Sequence, residues 1–202
     1  MPVDQAIHTL VPLAECKTAL GYDDRDDDFT SFLLVAASFT AESHLFRRII
    51  HRTHTEYFDS LGRCTFFLRE YPLRSIISVH EDRTRHFAEE TLIDPEYYYC
   101  TPDFASLEDI SGTLTLIPPY RPARGEKTIK IVYEAGYDLS EIPADLKEAV
   151  IELVAWNRTR YQSHRIGITS SVRGSGKETE GLEPTIPEHV RTLLEPYRRR
   201  TL

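Results

Sequence analysis

The sequence has no apolar run near the roughly 18–20 residues that a membrane span requires. Its best stretch, Phe32 to Phe39, is already interrupted by Ser38. There are only three cysteines, Cys16, Cys64 and Cys100. Their odd number and wide spacing argue against a disulfide framework and for a reducing compartment. The first residues carry Asp4 and no basic cluster ahead of an apolar stretch, so they do not read as a secretory leader. An excess of positive charge is also missing. The formal net charge is −8, which excludes a protein that grips nucleic acid mainly by neutralising phosphates. What remains is ordinary for a soluble globular chain, with 41% hydrophobic and 28% charged residues among 202. That length supports one domain burying roughly 70% of its unfolded surface.

Along the chain the pattern is helical, then β, then helical. Pro12 to Leu20 reads as a short helix stopped by Gly21. The acidic run Asp23-Asp24-Arg25-Asp26-Asp27-Asp28 precedes a long helix expected over 26–50. Aspartates suit its positive end, and Arg47 and Arg48 its negative end. Phe29, Phe32, Leu33, Ala36, Phe39, Thr40, Ser43 and Phe46 recur at three- and four-residue steps and read as its inward stripe. Leu34, Val35 and Leu45 lie off that stripe. They belong either to a second buried side of the same domain or to a face against a neighbouring subunit.

From about 52 to 137 short segments rich in β-branched and aromatic residues alternate with turn formers. Thr53–Asp59 and Cys64–Arg69 flank Ser60-Leu61-Gly62-Arg63 as in a hairpin. Further strands are expected at Ser75–His80, Tyr97–Thr101, Thr113–Ile117 and Thr128–Glu134. Pro143 then opens a helix over 143–163, with Leu146, Ala149, Val150, Leu153 and Val154 on one stripe. Residues 165–183 hold four of the nine glycines with little apolar content, which predicts a flexible arm over 165–202 ending in a short helix after Pro187. The fold class is α+β: a helical core over 1–164, with two N-terminal helices and one long later helix, carrying an inserted antiparallel β region. The arm adds a last short helix.

Chemical motifs are scarce. Asp24-x-Asp26-x-Asp28 has the opening spacing of a calcium loop, but Phe29 stands where the turn needs Gly and Val35 where the bidentate Glu belongs. Gly176-Lys177 resembles the end of a phosphate loop, but Ser171 replaces its first Gly and Glu178 its Ser/Thr. There is no G-x-S-x-G elbow. None of the eight histidines falls in a zinc spacing, His51 and His54 being the closest pair. Glu89-Glu90 and Glu108-Asp109 sit in turn-like surroundings. We therefore expect no enzyme, no catalytic residues, no cofactor and no metal.

One resemblance covers nearly the whole chain. It is carried by Leu68-Arg-Glu-Tyr-Pro-Leu-Arg-Ser-Ile-Ile-Ser-Val79, Tyr97-Tyr-Tyr99 and Ile129-Lys-Ile-Val-Tyr-Glu-Ala-Gly-Tyr137. Ile142-Pro-Ala-Asp-Leu-Lys-Glu-Ala-Val150 and the closing Leu193-Leu-Glu-Pro-Tyr-Arg-Arg199 complete it. In this order the segments resemble the head–tail connector (adaptor) proteins of long-tailed double-stranded DNA phages and gene-transfer particles. That resemblance implies a structural subunit of the virion neck, made in the host cytoplasm. It would form a ring, dodecameric in the family, between the portal protein and a stopper or tail-terminator protein. DNA would pass through the ring without sequence-specific binding. Leu34, Val35 and Leu45 become candidates for the subunit face. Arg165, Arg173, Lys177, Tyr197, Arg198 and Arg199 become candidates for a portal-binding arm. The alternatives are a stopper-like or tail-completion protein, or a small enzyme with an unrecognised site.

Overall fold

The structure, a computed structural model, describes residues 8–101, 112–118, 120–163 and 186–198. The chain divides into two compact units. A helical unit comprises residues 1–46 and 141–202, and a β unit comprises residues 47–140. The architecture is α+β, with four helices among the described residues and an antiparallel β region inserted between the second and third.

In the helical unit, α1 (Leu13–Leu20) begins after Pro12 and stops at Gly21. There φ is +64, a left-handed conformation that glycine adopts without strain. Helix α2 (Asp27–Leu45) starts inside the acidic run. It ends five residues short of the expected boundary because Phe46 turns left-handed at φ 55, its N–H closing on the carbonyls of Glu42 and Ser43. Helix α3 (Ala144–Gln162) follows Pro143, and α4 (Glu188–Leu194) follows Pro187. α2 packs on α3, and α4 packs on both.

The core of this unit contains Leu10, Val11 and Cys16, then Leu33, Leu34, Ala37, Ala41 and Leu45 of α2. Leu146, Ala149, Val150, Leu153 and Val154 of α3 meet them, with Val190, Leu194 and Tyr197 near the end of the chain. This corrects the stripe read from the sequence. The inward face of α2 is built from small residues and leucines, while Phe32, Phe39 and Phe46 point outward. Small side chains such as Ala37, Ser38 and Ala41 let helices approach closely, which bulky rings on that face would prevent. Ser38 is fully buried and satisfied: its hydroxyl donates to the Leu34 carbonyl at 2.8 Å and accepts from the Leu10 N–H at 3.0 Å.

Among the described residues the β unit holds two antiparallel three-stranded sheets. In the first, β6 (Gly125–Ala135) lies between β1 (Arg52–Ser60) and β3 (Leu73–Glu81). In the second, β5 (Thr113–Leu116) lies between β2 (Thr65–Phe67) and β4 (Tyr98–Thr101). Ile129, Ile131, Tyr133 and Ala135 alternate inward along β6, as a strand with one face on a core must. They share that core with Phe66, Leu68, Leu73, Val79, Ile93, Leu114 and Leu116.

The hairpin expected around Ser60-Leu61-Gly62-Arg63 does not form. β1 pairs with β6 (Arg52 opposite Ala135), and β2 pairs with β5 (Thr65 opposite Thr115), so this turn carries the chain from one sheet to the other. The two ends of the β unit are joined beside the first sheet. Tyr137 N–H donates to the Ile49 carbonyl at 2.8 Å, and His51 N–H donates to the Tyr137 carbonyl at 2.9 Å. Gly136 makes this possible. Its φ is +109, and an added Cβ would lie 2.8 Å from backbone atoms of Ile49, Ile50 and His51.

Candidate interaction surfaces

The polar side chains singled out for chemistry are occupied structurally. The Lys17 ammonium reaches Asp24 and Asp27, and the Arg158 guanidinium reaches Asp26 while lying 4.0 Å over the Tyr22 ring. Protein cations thus already pair with two of the three carboxylates of that spacing, Asp24 and Asp26. His54 stacks on Tyr133 with ring centroids 5.5 Å apart, and His51 lies 3.5 Å from Asp138. Glu89 forms part of a single 3-10 turn with Glu90. Tyr133 is completely buried; its hydroxyl donates to Glu56 and accepts from the Glu70 N–H at 3.1 Å. Burial, helped by that hydrogen bond to Glu56, raises its pKa strongly. Burial likewise pushes the Cys100 thiol up to about 11, which makes it a poor nucleophile. Among the described residues no group of three or more His, Cys, Asp or Glu is placed to hold a metal ion. Glu108-Asp109 and Gly176-Lys177 lie outside the described residues.

The helical unit presents an aromatic line instead. Phe32 is 57% exposed, Phe39 44% and Phe46 62%. Their spacing of seven residues places Phe32 and Phe39 along one edge of α2, with Phe46 just past its end, since two helical turns take about seven residues. Tyr161 of α3, also exposed, meets Phe29 and Phe32 edge-on at 5.9 and 6.5 Å. The Arg198 guanidinium lies 5.5 Å over the Phe46 ring. Aligned exposed rings with charged neighbours are a usual mark of a protein contact, whereas unrelated exposed rings scatter.

Of the expected subunit-face residues, Leu34 and Leu45 are 1% and 0% exposed and contribute to their own unit's core. Only Val35 remains partly accessible. For those two leucines the burial favours the other reading offered for them, a second buried side of the same domain. Of the four rings that the sequence placed inside, Phe32, Phe39 and Phe46 are exposed. A seven-residue aromatic repeat opposite a row of Ala and Ser was the signal available.

Of the expected portal-binding residues, Arg165, Arg173, Lys177 and Arg199 lie outside the described residues. Tyr197 is buried, its hydroxyl donating to both carboxylate oxygens of Asp145 at 2.7 and 2.8 Å. With Ile186, Val190 and Leu194 it fastens residues 186–198 to the helical unit. Arg198 stays exposed, 3.6 Å from Glu195.

On the β unit, a loop after β3 is organised by Asp82. Thr84 donates to one carboxylate oxygen through its N–H and its hydroxyl, both at 2.7 Å. The N–H groups of His86 and Phe87 donate to the other, both at 2.8 Å. The Thr84 hydroxyl and these amides hold the Asp82 carboxyl well below the usual carboxylate range. The loop displays Arg83 and Arg85, which the sequence reading passed over, and the short Asp-x-Thr turn signal was present there.

Against protein-family models, residues 9–200 match the head completion protein family. The chain belongs to that family. Its sequence resemblance to neck connectors therefore holds at the level of a structural protein of the particle neck. No curated protein matches the sequence. Among solved structures, a chain from the neck of an empty gene transfer agent particle, computed with C6 symmetry, aligns with a TM-score of 0.60 at 20% identity. The alignment covers 96% of this chain and 91% of that one. A chain from the neck of the native particle, computed with C12 symmetry, aligns at 0.57 and 20% identity, covering 96% and 94%. These likenesses establish a shared fold.

Proposed function

We propose that this head completion family protein is a non-enzymatic head–tail connector, an adaptor subunit that assembles into a dodecameric ring between the portal and the next neck protein. The observation that carries the reading is the aromatic line Phe32–Phe39–Phe46, whose rings keep 44–62% of their surface exposed among the described residues. A ring subunit needs two unlike side surfaces that meet by rotation, and this line, with Val35 at its flank, supplies one of them. The neck structures computed with C6 and C12 symmetry support a ring as the form in which the fold is used. Portal docking falls to Arg198 and Arg199 together with Arg165, Arg173 and Lys177. Tyr197 positions Arg198 from inside the helical unit. DNA passes through the ring, and the net negative charge keeps it from adhering.

The test is the mass distribution of the purified protein, alone and mixed with the portal protein of the same particle. A ring-sized species is expected in at least one condition. A monomer that ignores the portal overturns the adaptor assignment. A second reading, a stopper-like subunit further from the portal, is favoured by the packing of residues 186–198 onto their own unit. Binding to a preformed adaptor ring instead of the portal separates the two readings.

A further inference from the structure

Arg83, Arg85 and Arg124 line one open cleft of about 420 Å³ on the β unit, together with Gly125, Glu126 and Thr128. Three guanidinium groups converge there although the chain carries a net charge of −8. Among the described residues, three nearby carboxylates are held by donors other than these arginines. Asp82 is engaged by the loop amides and Thr84. Asp59 accepts the Lys127 N–H at 2.7 Å, and Glu81 accepts the Ala123 N–H at 2.6 Å. Among the described residues none of the three arginines forms an ion pair with a carboxylate.

The cleft walls are also fixed in place. Arg85 and Lys127 hold left-handed backbone at φ 62 and 50. A Cβ at Gly125 would strike the Thr128 methyl at 2.5 Å. Strained backbone of this kind persists where the surroundings over-determine it, and it gathers at ligand clamps.

The same chain carries an acidic counterpart. Five of the six residues from Asp23 to Asp28 are aspartates. Lys17 and Arg158 partner Asp24, Asp27 and Asp26, yet the Asp24 side chain remains 95% exposed. Among the described residues Asp23 and Asp28 have no ion pair. We propose that the arginine cleft of one copy receives the acidic start of α2 of the next copy in the ring, Arg83, Arg85 and Arg124 facing Asp23, Asp24 and Asp28.

This rests on the ring reading above. A head-to-tail contact uses a different patch from each partner, and these two patches carry opposite charge on different units of the chain. Guanidinium forks pair with carboxylates in a directed, two-pronged geometry. Complementary charge of this type speeds encounter and fixes register. Duplex DNA is a poorer occupant. Firm backbone binding draws on about 6–10 phosphate contacts, whereas the cleft offers three cations with the Glu126 carboxylate at its rim, on a chain whose overall field repels phosphate.

The test uses charge reversal in the full chain, with ring formation read by mass, alone and with portal. R83E/R124E and D23K/D28K are each expected to raise the concentration needed for assembly about tenfold or more. Mixed in equal amounts they should form rings again, because each acidic cleft then meets a basic helix start and each basic cleft an acidic one. Thermal melts of these variants, and of the milder R83Q/R124Q and D23N/D28N, verify that the fold is intact. Rings of both reversed variants at wild-type concentrations overturn the inference and leave the ring reading standing. So does a loss that mixing does not restore. Normal rings with loss of binding to a short DNA duplex that the wild type retains would reassign the cleft to nucleic acid. A wild type that forms no ring, with or without portal, overturns the ring reading and this inference with it.

Discussion

His44 and His54 are two side chains whose protonation the folded state resists in mild acid. Burial lowers the pKa of His44, aided by Arg198 and Arg191. Burial also lowers that of His54, aided by Arg52. Each folded-state value lies below the ordinary 6.5. As pH falls through 6.5 the unfolded chain therefore takes up protons that the folded chain resists. The stability these two residues contribute is present above that pH and lost below it. The melting temperature should drop between about pH 7.5 and about pH 5.5, before carboxylates with pKa near 4 begin to titrate. H44Q/H54Q should flatten the drop, and an equal slope in both proteins would exclude this origin. The His54 ring also stacks on Tyr133, so the slope and not the absolute melting temperature is the informative quantity.

At the scale of elements, α2 has two faces that substitution should separate. Leu34→Ala empties space in a fully packed core and should cost about 2–5 kcal/mol in chemical denaturation. Phe39→Ser on the outward line should change stability by about 0.5 kcal/mol or less while abolishing ring assembly. If F39S rings are normal, the aromatic line is not the contact. The positions of the helices were legible because Gly21, Pro143 and Pro187 mark their ends in the sequence. The inward face of α2 was misjudged because aromatic rings weigh most in a hydrophobic pattern, while here Ala and Ser make the close contact. Its end at Phe46 was hidden because a left-handed cap without glycine leaves no local signature. Alternation along β6 was readable within one segment. The partner of β2 was not, since Thr65 pairs with Thr115 across fifty positions and nothing in either segment names the other. The arginine cleft was invisible for the same reason, being assembled from Arg83, Arg85 and the distant Arg124.

For the whole molecule, the division into two compact units predicts partial independence. Replacing residues 47–140 by a short glycine–serine linker should leave a helical protein of residues 1–46 and 141–202 that melts cooperatively by circular dichroism. Such a protein should retain the aromatic line but lack the arginine cleft. It should therefore not close rings by itself. A non-cooperative melt would mean that the β unit is required for the helices to pack.

The joined ends of the β unit reach beyond the stability of this one chain. With Tyr137 clasped to Ile49 and Gly136 fitted against the backbone of His51, everything between is a loop in the topological sense, leaving and returning at one point. Recombination or gradual growth can lengthen, trim or exchange such a loop while the helices on either side keep their register. Divergence among relatives should accordingly collect between these two positions, with Gly136 as a fixed landmark at the seam.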